Sequence, residues 1–580
     1  MDHDAQTAAA HGFRWLTVPS FADAISLLDL DVVRHVQRLG PDELVKDNRV
    51  RTVARLPDPT EPARRRLYVK RYKFPKRLAR LRHLAVRTQP EVELRVCRAL
   101  QRAGIPTCDV LAVAVRRRRG LPVEGFLVSR EIPRVEPLGD YLRRVTSAPE
   151  AAGTADLSEL AVELAALTAR LIGAGFYHHD YHAGNLLIDP TAPPGERLFV
   201  VDLHSVRLRR SGRRGVLRML AMLSLSAGGA GVPMALHEEF LRAFLAARAG
   251  GQDPTAGELA AWRAMASRAR RRLHHAHMRS RTRRCMLEST LFTRDTAGDF
   301  VVRRRRDFPL RAAIEAIELH EAAMTGESNG MTTMRRGVRT EVSLCPCDTV
   351  PPLTSGRPAR PQDLRPGTVC VKAFKRRRLR ERAKDMLRPR GRARAAWIAA
   401  RGLHVRGIPA ARPLALAESR CKLGGRSDYL ITEAVDADAE LHNLVRHDLP
   451  SPRLRRRLGH AISALFLQMA EERAYHPDTK PGNILVKRQG DDYRLWLVDL
   501  DRVRFGRTWD RATWARSLAR LNSSLPAQVT VLDRLRCLRA CGHGRWTPKE
   551  RLALARDVYA LSLQRRPAWL DGSYGSRPLL

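Results

Sequence analysis

Apolar positions along this 580-residue chain follow one succession of periodicities that runs twice. Around Lys70 and again around Lys372, apolar and β-branched residues alternate with polar ones, as in Tyr68-Val69-Lys70-Arg71-Tyr72 and Cys370-Val371-Lys372-Ala373-Phe374. Alternation at period two predicts a strand with one buried face. An Arg-rich helical segment follows in each half. It closes on Gly104-Ile105-Pro106 or Gly407-Ile408-Pro409, where glycine ends the helix and proline blocks its return. Short apolar runs at 125–129 and 429–432 predict strands, each followed by an acid, Glu131 and Glu433. Apolar residues at three-to-four spacing then predict long amphipathic helices over 157–173 and 454–472. Each helix leads into a polar loop, and pairs of short strands follow: 185–188 with 198–201, and 483–486 with 495–498.

The matching landmarks lie between 288 and 303 residues apart, from Val50-Arg51-Thr52 with Val338-Arg339-Thr340 to the polar loops themselves. Such constancy over several hundred residues predicts a tandem repeat, and the chain is too long for one ordinary domain. The expected division is a preamble over 1–44, a first domain over 45–290, a connecting region over 291–330, a second domain over 331–560 and a tail over 561–580. Trp15, Phe21, Leu27, Leu28 and Val32 are the expected anchors of the preamble. The connecting region reads as a hairpin turning at 295–298, an acidic helix over 314–324 and a short linker ending at Gly330. The longest uncharged stretch, 219–236, contains Gly228, Gly229, Gly231 and Pro233, so it reads as a buried helix and loop and not as a membrane span.

Composition narrows the partners. A hydrophobic fraction of 44% is enough for real cores, and the formal charge of +43 favours anionic partners: nucleotide phosphates, phosphorylated glycolipid, an anionic membrane surface or nucleic acid. The basic tracts at 268–272, 279–284 and 303–306 lack the interleaved aromatics of a single-strand stacking surface, which disfavours nucleic acid. The nine cysteines are scattered, and neither Cys345-Pro346-Cys347 nor Cys537 with Cys541 has a second pair at zinc spacing. No secretory signal is legible. The expected setting is therefore reducing and cytoplasmic.

The candidate chemistry lies in the two loops. His178-His179-Asp180-Tyr181-His182-Ala183-Gly184-Asn185 precedes Asp202, and His476-Pro477-Asp478-Thr479-Lys480-Pro481-Gly482-Asn483 precedes Asp499. Each reads His-x-Asp-x-x-x-x-Asn, then a hydrophobic run ending in Asp. That set suits phosphoryl transfer from ATP, which asks the protein for positioning and charge more than for covalent chemistry. Asp180 and Asp478 would accept a hydrogen bond from the attacking alcohol. Asn185 with Asp202, and Asn483 with Asp499, would hold Mg²⁺ through hard oxygen donors. Lys70 and Lys372, charges in mid-strand, would hold the nucleotide phosphates, and Glu93, eleven residues before Gly104, would keep Lys70 aimed. Glu131 and Glu433 complete the cofactor-binding set. At the place of Glu93 the second half has Ala396, so Lys372 has either no partner or one from elsewhere. Neither half has a Gly-x-Gly-x-x-Gly loop before its lysine, an Asp-Phe-Gly or an Ala-Pro-Glu element, which disfavours an ordinary protein kinase.

At these residues the chain resembles the lipopolysaccharide core kinases, the Kdo and heptose kinases of Gram-negative bacteria, in two copies over roughly 45–245 and 335–545. The resemblance rests on Tyr68-Val69-Lys70, Arg102-Ala103-Gly104-Ile105-Pro106-Thr107, Asp180 to Leu187, and Val201-Asp202-Leu203 in the first half. In the second it rests on Val371-Lys372-Ala373-Phe374, Arg406-Gly407-Ile408-Pro409, Pro481 to Leu485, and Val498-Asp499-Leu500-Asp501. It implies an α+β fold of two tandem protein-kinase-like domains, each a small β-rich N-lobe and a larger helical C-lobe, using ATP and Mg²⁺. It also implies an anionic lipid A–core substrate met at the cytoplasmic face of the inner membrane, with peripheral contact that the basic charge would favour. Two alternatives stay open: a second half that binds nucleotide as a pseudokinase or scaffold, and a kinase of another small-molecule or protein acceptor.

Overall fold

The computed structural model describes residues 6–569 except 62–64, 76–79, 148–153, 210–211, 327–331, 353–362, 376–390, 421–426, 448–450 and 543. The linker expected over 327–330 and the tail beyond 569 lie outside the described residues. Backbone contacts divide the chain into two units, Met1–His274 and His275–Leu580.

Both units are built to one plan. In the first, seven antiparallel strands lie in the order Gln6–Ala10, Phe13–Thr17, Val110–Arg118, Leu121–Arg130, Arg66–Lys73, Arg51–Pro57, Leu44–Asp47. In the second the order is Phe292–Ala297, Phe300–Arg305, Pro413–Ser419, Asp428–Glu433, Arg365–Phe374, Thr340–Val350, Thr332–Arg336. Each sheet is followed by a helical part carrying a three-stranded and a two-stranded sheet, again in matching arrangements.

Alternation along the lysine strand gives its sheet two different faces. Leu67 and Val69 face outward into a cluster with Phe13, Trp15, Phe21, Ile25 and Phe126, while Tyr72 packs inward with Leu94 and Leu127. The residues expected as a preamble are thus a hairpin in the sheet, with Leu16 opposite Val113, and a cover for its outer face. Burying side chains of that size stabilises by roughly 1.5–3 kcal/mol each. Trp15, Phe21 and Leu28 are buried and Val32 packs against them, but Leu27 is 67% exposed and anchors nothing.

The connecting region needs the corresponding correction. Phe292–Ala297 and Phe300–Arg305 do form a hairpin, but its second strand pairs with Pro413–Ser419, with Val302 opposite Ala417, so it belongs to the second unit's sheet. The helix Leu310–Thr325 lays Ala313, Ala316 and Ile317 on Val369, Val371 and Ile431 of that sheet. The division between units falls at 274/275, inside the helix Ala256–Arg283, and not at 290.

Two helices position the site in each unit. Gln89–Arg102 starts with a capping box, Thr88 N–H donating to Glu91 Oε2 at 2.7 Å, and ends at Gly104, whose φ of 65° lets Ile105 N–H reach Leu100 O at 3.0 Å. Arg392–Val405 ends the same way at Gly407, with Ile408 N–H on Leu403 O at 3.1 Å. The long helices Thr154–Gly173 and Pro452–Glu471 bury Leu160, Leu167 and Leu171, or Leu458, Leu465 and Phe466, and deliver the chain to the polar loops. No helix among the described residues is long and apolar enough to cross a membrane.

Candidate active site

In the first unit His178 is fully buried, and it pins the loop. Asp180 N–H donates to its Nδ1 at 3.2 Å, so the ring proton sits on Nε2, 3.3 Å from Val201 O. Burial brings its pKa down to about 4, so the ring is neutral and ties the loop to the strand ahead of Asp202. Asn185 Nδ2 donates to Asp180 O at 2.8 Å, and Val201 N–H donates to Asn185 O at 3.0 Å. With its amide nitrogen occupied, Asn185 keeps its side-chain oxygen for a cation. The Asp180 carboxylate is half exposed, and His182, 3.5 Å away, holds it below the usual carboxylate range.

Asp202 follows in the left-handed region at φ 60°, a conformation that costs most residues but that aspartate tolerates. Its Oδ1 meets Arg51 Nη1 at 2.9 Å and His204 Nδ1 at 2.9 Å. One step inward, Lys70 Nζ donates to Glu93 Oε2 at 2.8 Å, Tyr72 O–H donates to the other oxygen, and His204 lies 3.5 Å from it. Burial alone would raise the Glu93 carboxyl, but Lys70, His204 and Tyr72 bring it down to about 2. The same contest leaves Asp202 far below the usual range, with His204, Arg51 and Lys70 outweighing its burial. Burial opposes charge on His204, yet Asp202 and Glu93 raise it to about 9, so it is a cation at neutral pH.

Glu93, Asp202 and His204 lie close enough to share a metal ion, but a protonated His204 and a Glu93 taken by Lys70 make that trio an ion-pair network. A hard cation fits better on the free oxygen of Asp202 with the side-chain oxygen of Asn185, an all-oxygen donor set of the kind Mg²⁺ takes. The Glu131 carboxylate is held away by a two-pronged pair with Arg55, at 2.9 and 3.0 Å, and its counterpart Glu433 by Arg412 at 2.9 Å.

The second unit repeats the loop almost atom for atom. Asp478 N–H donates to His476 Nδ1 at 3.2 Å, His476 Nε2 meets Val498 O at 3.1 Å, and Asn483 Nδ2 donates to Asp478 O at 2.8 Å. Asp499 has φ 59°. The surroundings differ. Lys372 Nζ donates to Asp499 Oδ1 at 2.6 Å, so the partner left undecided by Ala396 is Asp499, the candidate metal ligand. Asp478 is flanked by Arg520 at 3.4 Å and Lys480 at 3.9 Å, and Arg392 Nε donates to Asp501 Oδ2 at 2.7 Å.

The sequence pattern assigned no role to Arg51, Tyr72 or His204, nor to Arg392, Asp501 or Arg520. A signal existed for the first set: Arg51 sits inside the repeated Val-Arg-Thr, Tyr72 two residues after the lysine and His204 two after the aspartate.

The family model for the lipopolysaccharide kinase (Kdo/WaaP) family matches two segments of the chain, 43–244 and 367–546. The 3-deoxy-D-manno-octulosonic acid kinase of Actinobacillus succinogenes is 32% identical over 125 residues, 21% of this chain and 48% of that protein. The kinase of the same name from Pasteurella multocida is 25% identical over 130 residues, 22% of this chain and 51% of that protein. The chain thus spans about half the length of the curated relatives it matches. A solved structure of WaaP in complex with acyl carrier protein shares 23% identity, covering 44% of this chain and 99% of that one at a TM-score of 0.32. With well over half of its length matched by the family model, the chain belongs to the lipopolysaccharide kinase (Kdo/WaaP) family.

Proposed function

We propose that the chain is an ATP- and Mg²⁺-dependent kinase that phosphorylates a sugar hydroxyl of lipopolysaccharide core or a related envelope glycolipid, with turnover in the first unit. Its two-lobed reading places the nucleotide between the seven-stranded sheet and the helical part. The observation that carries the reading is the joining of Lys70 to Glu93 while the Asp180–Asn185 loop is tied to the strand ahead of Asp202. Lys70 would meet the α- and β-phosphates, held in place by a buried acid. Asp202 and Asn185 would hold Mg²⁺, which when bound neutralises charge on the phosphates. Asp180, exposed and ionised, would orient the sugar hydroxyl and accept its proton. Glu131 and Glu433 contribute to nucleotide binding only through main-chain groups in this reading, since their carboxylates are paired. The anionic acceptor and the basic chain fit a cytoplasmic reaction with peripheral contact at the inner membrane.

The test is transfer of labelled phosphate from ATP to core glycolipid by the full chain and by Asp180→Asn. Transfer by the parent, reduced about 10²–10⁴-fold in the variant, is expected. ATP binding without transfer to any core glycolipid would move the acceptor elsewhere.

A second reading concerns the second unit alone. The contact of Lys372 with Asp499 and the alanine at 396 favour a nucleotide-binding partner domain over a second working kinase.

A further inference from the structure

Four positions around the second lysine differ from their counterparts around the first, and they differ together. Counted from the lysine, the helix-ending glycine or the metal aspartate, Tyr72 corresponds to Phe374, Gln89 to Arg392, Glu93 to Ala396 and His204 to Asp501. In the first unit Tyr72 and Glu93 bond to each other. In the second both polar groups are gone at once, and Phe374 and Ala396 lie buried in one apolar cluster with Trp397 and Leu430. Removing one partner of a buried hydrogen bond costs about 1–3 kcal/mol, whereas removing both can be nearly neutral. The tie between helix and loop persists with reversed polarity. The acid on the helix and base on the loop, Glu93 and His204, become a base on the helix and an acid on the loop, Arg392 and Asp501, 2.7 Å apart with the Asp501 side chain 5% exposed. Piecemeal decay would orphan such groups one at a time. Here the set is replaced.

The replacement gives Lys372 a new partner. The helix Arg392–Val405 contains no Asp or Glu, and Asp501 is engaged by Arg392. A divalent cation arriving at Asp499 would share that carboxylate with an ammonium to which the helix Arg392–Val405 offers no second one, whereas Lys70 in the first unit is held by Glu93. The three aspartates described at the site already face cations: Asp499 faces Lys372, Asp501 faces Arg392, and Asp478 faces Lys480 and Arg520. Ammonium and guanidinium groups are also the natural donors to phosphate oxygens.

We propose that the second unit binds a nucleoside triphosphate without a divalent cation, with Lys372 and Lys480 neutralising the phosphates where a metal would act and Arg392 and Asp501 as the positioning pair that holds helix to loop. This rests on the reading of the second unit as a nucleotide-binding partner domain.

Equilibrium binding of radiolabelled ATP to the full chain, with millimolar Mg²⁺ or with EDTA, tests it. We expect two equivalents in Mg²⁺ and one in EDTA, the latter lost in Lys372→Met and kept in Lys70→Met. In the quadruple variant Phe374→Tyr, Arg392→Gln, Ala396→Glu, Asp501→His, which restores the first unit's set, the EDTA-resistant equivalent should weaken about tenfold or more and recover with Mg²⁺. Circular dichroism and thermal unfolding matching the parent qualify each variant. Two equivalents in Mg²⁺ and none in EDTA overturn the inference and leave the kinase reading standing. An EDTA-resistant equivalent lost in Lys70→Met but kept in Lys372→Met overturns it as well. No nucleotide bound under either condition overturns both.

Discussion

His178 holds its loop only while its ring is neutral. Its folded pKa of about 4 lies below the ordinary value of 6.5, so the unfolded chain takes up the proton first. The stability it contributes is fully present above pH 6.5 and is lost as pH falls toward 4, by about 3 kcal/mol for a shift of this size. We expect the urea midpoint to fall over that window, and His178→Phe to flatten the fall. A second expectation concerns Tyr72 and Glu93. Glu93→Ala alone strands Lys70 and the Tyr72 hydroxyl, whereas Glu93→Ala with Tyr72→Phe copies what the second unit carries. The double variant should be less destabilised than the sum of the singles, with a coupling of about 0.5–3 kcal/mol in a denaturant cycle. The aspartates, asparagines and lysines of the site were legible because their spacing repeats. His204 was not, because its charge depends on Glu93, over a hundred residues away, as well as on the nearby Asp202, and only the fold brings Glu93 beside it.

Among elements, those with strong periodicity stand close to where the pattern put them, including the lysine strands, the long helices and the glycine-ended helices. Gly104 offers a check: a Cβ there meets no atom within 4 Å, so Gly104→Ala should cost only its backbone strain, about 1 kcal/mol, and Gly104→Asn less. What the pattern could not supply was sheet membership. Phe13, Trp15 and Thr17 alternate as a strand should, and all three are buried, but nothing local says that their partner is Val110–Arg118. The same holds for Phe300–Arg305 and Pro413–Ser419, more than a hundred residues apart. Leu27 was misread because it ends a five-residue 3-10 helix, Asp23–Leu27, too short for a period to fix its face.

At the scale of the whole molecule, charge and duplication dominate. With a formal charge of +43, we expect the chain to co-sediment with anionic vesicles at low ionic strength and not with neutral ones, and to be released near 1 M salt, where the screening length falls to about 3 Å. Retention at high salt would argue for an apolar anchor instead. Duplication reaches further than the family-matched segments, because both sheets begin with a hairpin that precedes the segment matched. That hairpin is an edge guard. A polypeptide begun at residue 331 would strip Phe300–Arg305 from Pro413–Ser419 and bare the uncharged run Pro-Leu-Ala-Leu-Ala as an open row of amides. Open, apolar, uncharged edges recruit other strands. Light scattering should find that fragment self-associating, while one begun before residue 290 keeps its edge covered and stays dispersed.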